Sequence, residues 1–137
     1  MKTVNFKYGK IAFKVKGKGR AIVLLHGFLE SSEIWSGYAE KLSRVYKVVL
    51  IDLPGHGQSD CFGYVHRMEL MAQSVKAVLD SLHLRRYILV GHSMGGYVSL
   101  AFAGLYAENM KGMVLFHSTL CPIQGRKNGR GKGPLNS

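Results

Sequence analysis

The stretch that most constrains the fold is residues 87–97, with the sequence Y-I-L-V-G-H-S-M-G-G-Y. A short apolar run typical of a buried parallel strand meets a serine between glycines, and small and apolar residues that favour a helix follow. At so sharp a turn a side chain clears both elements only where its neighbours have little bulk. Gly91 and Gly95 give Ser93 that room, in the G-x-S-x-G spacing of a nucleophile elbow. The alternative interpretation is a serine that merely caps the helix.

The remaining pattern alternates between predicted strands and helices. Buried strands are predicted at residues 21–25, 46–53 and 113–116, and the first of these is apolar throughout, which is typical of a strand buried on both faces. Amphipathic helices are predicted for residues 32–43 and 68–82. Two alternating runs, 3–8 and 11–16, predict an opening hairpin that turns at Gly9-Lys10. The predicted fold class is therefore α/β, a three-layer domain whose mostly parallel sheet has helices on both faces.

Composition limits the cellular setting and the partners. The 137 residues suit one domain, no apolar stretch is long enough for a membrane span, and the N-terminus lacks the apolar core of a signal peptide. A cytoplasmic protein without membrane contact is expected. The net charge of +11 is concentrated in the N-terminal hairpin and the C-terminal tail, which favours solvated surfaces over a nucleic-acid partner. Cys61 and Cys121 lack metal-ligand spacing, so neither a metal site nor a disulfide is predicted.

The chain changes character near its C-terminus. Residues 1–119 carry the α/β pattern, whereas residues 120–137 are rich in glycine and basic side chains and contain no acid. Such a segment has little to bury, so the tail is expected to be disordered. The abrupt change suggests a frameshifted or otherwise truncated gene.

Three motifs in order carry a family resemblance: H-G-F-L-E-S-S-E-I-W at 26–35, D-L-P-G-H-G-Q-S at 52–59 and G-H-S-M-G-G at 91–96. Together they resemble the α/β-hydrolase superfamily over about residues 3–119, which corresponds to the N-terminal half of that fold through its sixth strand. The motifs fall at the carboxyl ends of predicted strands, where open α/β sheets place their chemistry.

The resemblance implies roles for individual residues. Ser93 would be the nucleophile, and the backbone N–H groups of Phe28 and Met94 would form the oxyanion hole. Further pocket residues would be Gly27, which allows close approach of the chain, together with Leu29, Trp35 and His117. Asp52 and the histidines at 26 and 56 are expected to make structural hydrogen bonds, and His92 is expected to point away from Ser93.

One departure from the family pattern concerns the acid and the base, which in this family follow the serine in chain order. After Ser93 the sequence contains a single acid, Glu108, and a single histidine, His117. The triad partners are therefore missing from their expected positions. We expect a truncated fold with weak or no turnover, whose last strand leaves an apolar sheet edge open to self-association.

The function that the resemblance implies first is a serine hydrolase that cleaves small carboxylic-ester-like substrates through an acyl-enzyme, without a cofactor. Two alternatives stay open. The motifs at 26–35 and 52–59 are also similar to the menaquinone-pathway synthase of this superfamily, a lyase that uses the same serine. The other alternative is a non-catalytic remnant or partner-binding module.

Overall fold

The computed structural model describes residues 1–63 and 66–116 of the chain. Strands and helices alternate through most of this part, as the apolar pattern predicts. From the N-terminus the elements are β1 (Lys2–Phe6), β2 (Gly9–Lys16), β3 (Ala21–Leu25), a 3-10 segment (Ser32–Trp35), α1 (Ser36–Leu42), β4 (Lys47–Ile51), α2 (Met68–Ser81), β5 (Tyr87–His92), α3 (Met94–Tyr106), a second 3-10 segment (Ala107–Asn109) and β6 (Met110–Phe116).

The six strands form one sheet in the order β1-β2-β4-β3-β5-β6. The strands β4, β3, β5 and β6 run parallel to one another, whereas β1 and β2 form an antiparallel hairpin at one edge, and β2 pairs antiparallel with β4. The predicted α/β class with a mostly parallel sheet is confirmed. Because β3 and β5 lie side by side in parallel, their carboxyl ends open at the same edge of the sheet, and the candidate site is built there.

Strand β3 separates two apolar cores, because successive side chains of a strand point to opposite faces. Val23 and Leu25 pack on the face covered by α2 and α3, where Val75 and Phe102 are fully buried. Ile22 and Leu24 pack on the opposite face, against α1 and the 3-10 segment that precedes it. Helices therefore lie on both faces of the sheet, as predicted.

The opening hairpin turns two residues earlier than predicted. Phe6 pairs with Gly9, so the turn consists of Lys7 and Tyr8, and Lys7 takes a positive φ of 51°. Gly9 is the first residue of β2, and a Cβ there would lie 3.0 Å from the Phe62 ring. The glycine at position 9 thus serves close packing rather than the turn, and the prediction of a Gly9-Lys10 turn is wrong.

Strand β6 starts at Met110 rather than at 113, because Met110 already pairs with Tyr87. The predicted tail, 120–137, and His117 lie outside the described residues. Within the described ranges, no helix has both the length and the apolar character needed to cross a membrane.

Candidate active site

Ser93 lies at the junction of β5 and α3, where the backbone is forced into an unusual conformation. Its φ of 55° and ψ of −114° are rare for a residue with a side chain, and such conformations cost about 1–3 kcal/mol. The side chain makes no capping hydrogen bond to α3, and the residue is exposed. Ser93 therefore occupies the N-cap position of α3 without a side-chain capping bond, so the structure does not support the interpretation of its side chain as a helix cap.

The glycines on either side of Ser93 are required by packing. A Cβ on Gly91 would lie 2.6 Å from the backbone nitrogen of Gly96, on the first turn of α3. A Cβ on Gly95 would lie 2.7 Å from the Leu25 carbonyl carbon and 2.8 Å from the His26 oxygen. Both distances are shorter than real Cβ contacts allow, so only glycine lets α3 begin this close to β3 and β5.

The segment that follows β3, residues 26–30, forms a tight turn beside the elbow and is called the 26–30 loop below. The Glu30 N–H donates to the Gly27 carbonyl at 3.2 Å, and Leu29 has a φ of 62°, a combination typical of a type II turn. A Cβ on Gly27 would lie 3.2 Å from the Ser93 Cβ. The structure thus brings Gly27 against Ser93, with Phe28 and Leu29 largely exposed at the tip of the loop.

The two backbone N–H groups assigned by resemblance to an oxyanion hole flank this contact. Phe28 follows Gly27 directly, and Met94 is the first residue of α3. The first N–H groups of a helix have no partner within the helix, so the Met94 amide is placed to donate to a group outside it.

Glu30 is a residue of the site that the sequence analysis missed. Its Oε1 accepts a hydrogen bond from the Gly27 N–H at 2.7 Å and lies 3.1 Å from Nδ1 of His92. The His92 ring packs near the rings of Trp35 and Phe116. In the sequence, Glu30 is marked only by its position three residues after Gly27. A helix-capping residue or a turn residue could stand at the same position.

Trp35 differs from the other expected pocket residues in its burial. It is only 4% exposed and belongs to the core beneath α1. The structure therefore places Trp35 below His92 rather than on open surface beside Ser93.

His26 links the 26–30 loop to the segment after β4. It is fully buried; its Nδ1 donates to the Gly27 carbonyl at 2.7 Å, and its Nε2 accepts from the Leu53 N–H at 2.9 Å. Burial, above all, lowers the pKa of His26 below its usual 6.5, which keeps the ring neutral. The expected structural role of His26 agrees with this geometry.

Asp52, the residue directly after β4, stabilises the segment that follows that strand. It is 2% exposed, and its carboxylate accepts from the backbone N–H groups of Ser32 at 2.8 Å and Gln58 at 3.0 Å. Its backbone carbonyl also accepts from the Ser59 hydroxyl. Asp52 thus holds the 52–59 segment in place, as expected of a structural residue.

A cleft of about 330 Å³ opens on the outer side of the 26–30 loop. Its lining includes Phe28, Leu29, Glu30, His56, Cys61 and His66. A larger cleft of about 550 Å³ lies at the opposite end of β3 and β5, around Arg20, Tyr87 and Lys111. The 26–30 loop lines the smaller cleft and lies at the far end of the strands from the larger one; neither Ser93 nor Met94 is among the lining residues of either cleft.

Comparisons with known proteins agree with this architecture. A family model described as the alpha/beta hydrolase fold matches residues 20–126. The chain belongs to the α/β-hydrolase fold family. The predicted resemblance is therefore confirmed.

Several relatives are named as hydrolases or esterases. A 2-hydroxy-6-oxononadienedioate/2-hydroxy-6-oxononatrienedioate hydrolase of Paraburkholderia phymatum is 37% identical over 114 residues, which cover 77% of this chain and 39% of the relative. A pimeloyl-[acyl-carrier protein] methyl ester esterase of Nitrosomonas europaea is 35% identical over 115 residues, covering 83% and 43%. The chain spans less than half the length of each.

Solved hydrolase structures also share less than half of their length with this chain. A thermophilic esterase from Thermogutta terrifontis superposes with a TM-score of 0.84 at 30% identity, covering 90% of this chain and 47% of the esterase. Est816, described as an N-acyl homoserine lactone degrading enzyme, superposes with a TM-score of 0.83 at 30% identity. The shared part is the half of the fold that carries the elbow.

Proposed function

We propose that this chain carries the nucleophile of a serine hydrolase that cleaves carboxylic esters through an acyl-enzyme. The observation that supports this most strongly is the conformation of Ser93: an exposed serine in a strained turn between β5 and α3, with the Gly27 backbone packed against its Cβ. A strained backbone conformation persists only where the surrounding packing holds it in place, and such conformations are common at functional sites.

In this proposal the Ser93 Oγ attacks the ester carbonyl carbon, and the carbonyl oxygen becomes an oxyanion. The N–H groups of Phe28 and Met94 donate to that oxyanion, and each such donor contributes about 2.7–4 kcal/mol to transition-state stabilisation. The alcohol leaves, the acyl group stays on Ser93, and water then releases the acid. No step requires a metal or an organic cofactor.

The substrate class follows from the surface beside Ser93 and from the named relatives. Phe28 and Leu29 present apolar side chains at the tip of the 26–30 loop, 65% and 81% exposed. The relatives from Nitrosomonas europaea and Thermogutta terrifontis are named as esterases. A small-molecule ester with an apolar acyl or alcohol group fits this surface.

The acid and the base of the reaction are proposed to come from outside the described residues. The histidines at 26 and 56 each direct Nδ1 at a backbone carbonyl, and His92 directs its Nδ1 at Glu30. His117 lies beyond the described range. Loss of the base in a serine protease lowers kcat by about 10⁶-fold, so the chain alone is expected to turn over slowly.

The test is hydrolysis of p-nitrophenyl butyrate by the full chain and by Ser93→Ala, each with and without added imidazole. Imidazole can take the serine proton in place of a missing histidine. Because imidazole also hydrolyses the ester in solution, the quantity of interest is the difference between the two proteins. We expect a small Ser93-dependent rate that increases with imidazole concentration.

Equal rates for both proteins at every imidazole concentration would contradict the proposal. That result would favour the non-catalytic, partner-binding alternative, in which the elbow is retained in shape only.

A further inference from the structure

The 26–30 loop holds a conformation that its own sequence does not favour. Leu29 has a φ of 62°, in the left-handed region where glycine is the usual residue, and its side chain is 81% exposed. Exposed leucine gains nothing from packing that would offset this strain. A strained turn persists only where neighbouring contacts over-determine it, so contacts other than those of Leu29 must hold the loop.

Glu30 provides such a contact. Its Oε1 accepts from the Gly27 N–H at 2.7 Å, within the short range of charge-assisted hydrogen bonds. The Gly27 N–H is thereby paired inside the loop. The Gly27 carbonyl, which shares a peptide plane with the Phe28 N–H, accepts from the Glu30 N–H at 3.2 Å and from His26 Nδ1 at 2.7 Å, so the peptides on both sides of Gly27 are held.

The same carboxylate oxygen reaches the elbow. It lies 3.1 Å from His92 Nδ1, which must carry a hydrogen to donate at that distance, and His92 immediately precedes Ser93. Around the position that a Gly27 Cβ would occupy, Glu30 Oε1 lies at 2.7 Å, and His92 Nδ1 and the Ser93 Cβ each lie at 3.2 Å. One carboxylate oxygen therefore connects the loop to the residue beside the nucleophile.

We propose that Glu30 is a positioning residue that clamps the 26–30 loop to the elbow and so fixes the Phe28 N–H relative to Ser93. Whether Glu30 holds the loop in place does not depend on the activity of the chain. The consequence of the clamp for reactivity rests on the proposed function, and the two parts are tested by separate measurements.

The first measurement is hydrogen exchange of the Gly27 amide, followed by NMR on the full chain. In Glu30→Ala the amide loses a bond to a charged acceptor, and its exchange is expected to become about tenfold faster or more. Glu30→Gln keeps an acceptor oxygen and should stay within about threefold of the wild type. The matched control is Glu33→Ala, which removes a carboxylate three positions away that pairs with Lys14 at the surface, and it should leave Gly27 unchanged.

The second measurement is the rate of Ser93 labelling by a fluorophosphonate in the presence of imidazole, separated into the affinity for the probe and the maximal rate. The clamp predicts that Glu30→Ala lowers the maximal rate about tenfold, because the oxyanion donor is displaced, and that the affinity changes much less than the rate, because Phe28 and Leu29 still present the apolar surface. Glu30→Gln should recover most of the rate. A loss of general stability would appear instead as a lower Tm, recorded on the same samples.

The outcomes separate the two claims. Unchanged Gly27 exchange in Glu30→Ala overturns the clamp, and faster exchange with a wild-type labelling rate overturns its role in positioning. A wild-type chain that does not label at Ser93 overturns the proposed function, while the exchange result still decides the clamp. If Glu30→Ala does not fold, Glu30→Asp, which withdraws the carboxylate by one methylene, replaces it with the same expected changes.

Discussion

Gly95 is the position where the closeness of α3 to β3 can be tested most sharply. In Gly95→Ala the new Cβ would meet backbone atoms at the end of β3, the Leu25 carbonyl carbon at 2.7 Å and the His26 oxygen at 2.8 Å. Ordinary contact begins at 3.4 Å, and the Leu25 carbonyl oxygen is nearer still than the carbonyl carbon, so α3 would have to move by at least about 0.7 Å. Backbone atoms cannot rotate away as a flexible side chain can, so the cost lies at the upper end of overpacking, about 3 kcal/mol.

The matched control lies in the same helix. A Cβ on Gly104 would meet nothing within 4 Å, so Gly104→Ala should gain about 0.5–1 kcal/mol from the better helix propensity of alanine. The two substitutions are chemically identical, and their free energies of unfolding should therefore differ by about 4 kcal/mol.

Urea unfolding at equilibrium measures both values by linear extrapolation. The movement of α3 also disturbs the end of β3, from which the 26–30 loop starts, so Gly95→Ala should lose Ser93-dependent reactivity while Gly104→Ala keeps it. Equal unfolding free energies for the two variants would refute the packing argument at the elbow.

Three further predictions concern the buried histidine His26, the 26–30 loop and strand β6 at one edge of the sheet. Burial lowers the pKa of His26 below 6.5; the unfolded chain then binds a proton first, so stability should fall as the pH drops below 6.5, by up to about 1.4 kcal/mol per pH unit for this buried histidine. In unfolding titrations the slope of stability against pH should become shallower in His26→Gln. Leu29→Gly should raise the unfolding free energy by up to about 1 kcal/mol by relieving the positive φ, and Leu29→Ala, which keeps the strain, should give no gain. Val114, 49% exposed on β6, should support self-association, so that Val114→Lys lowers the mass seen by light scattering at tens of micromolar; a monodisperse monomer of the wild type would contradict this.

The elbow could be predicted from the sequence because its physics is local. A strand, a serine between two glycines and a helix are adjacent in the chain, and the close contact of Gly91 with α3 needs no distant residue. The strands and α2 could be predicted for a similar reason, because the spacing of apolar residues along the chain follows which side chains are buried. Helix α2 spans Met68–Ser81 and is one residue shorter than the predicted helix at 68–82.

The contacts that the sequence did not predict are long-range. Glu30 and His92 are 62 positions apart, and nothing in either segment encodes the other. The hairpin error has the same origin: Gly9 is small because Asp60 and Phe62 pack against it, which a reading of the local turn pattern cannot include. Sequence patterns thus located the junction of β5, Ser93 and α3, and the structure supplied the contacts around it.

The most direct test of the account is to label the full chain with a fluorophosphonate in the presence of imidazole and to locate the adduct by mass spectrometry of its peptides. An activated serine at the elbow predicts that the adduct forms on the peptide containing Ser93, and that it is absent from Ser93→Ala treated in the same way. Labelling distributed over other serines, or to the same extent in both proteins, would contradict the central claim that Ser93 is a nucleophile.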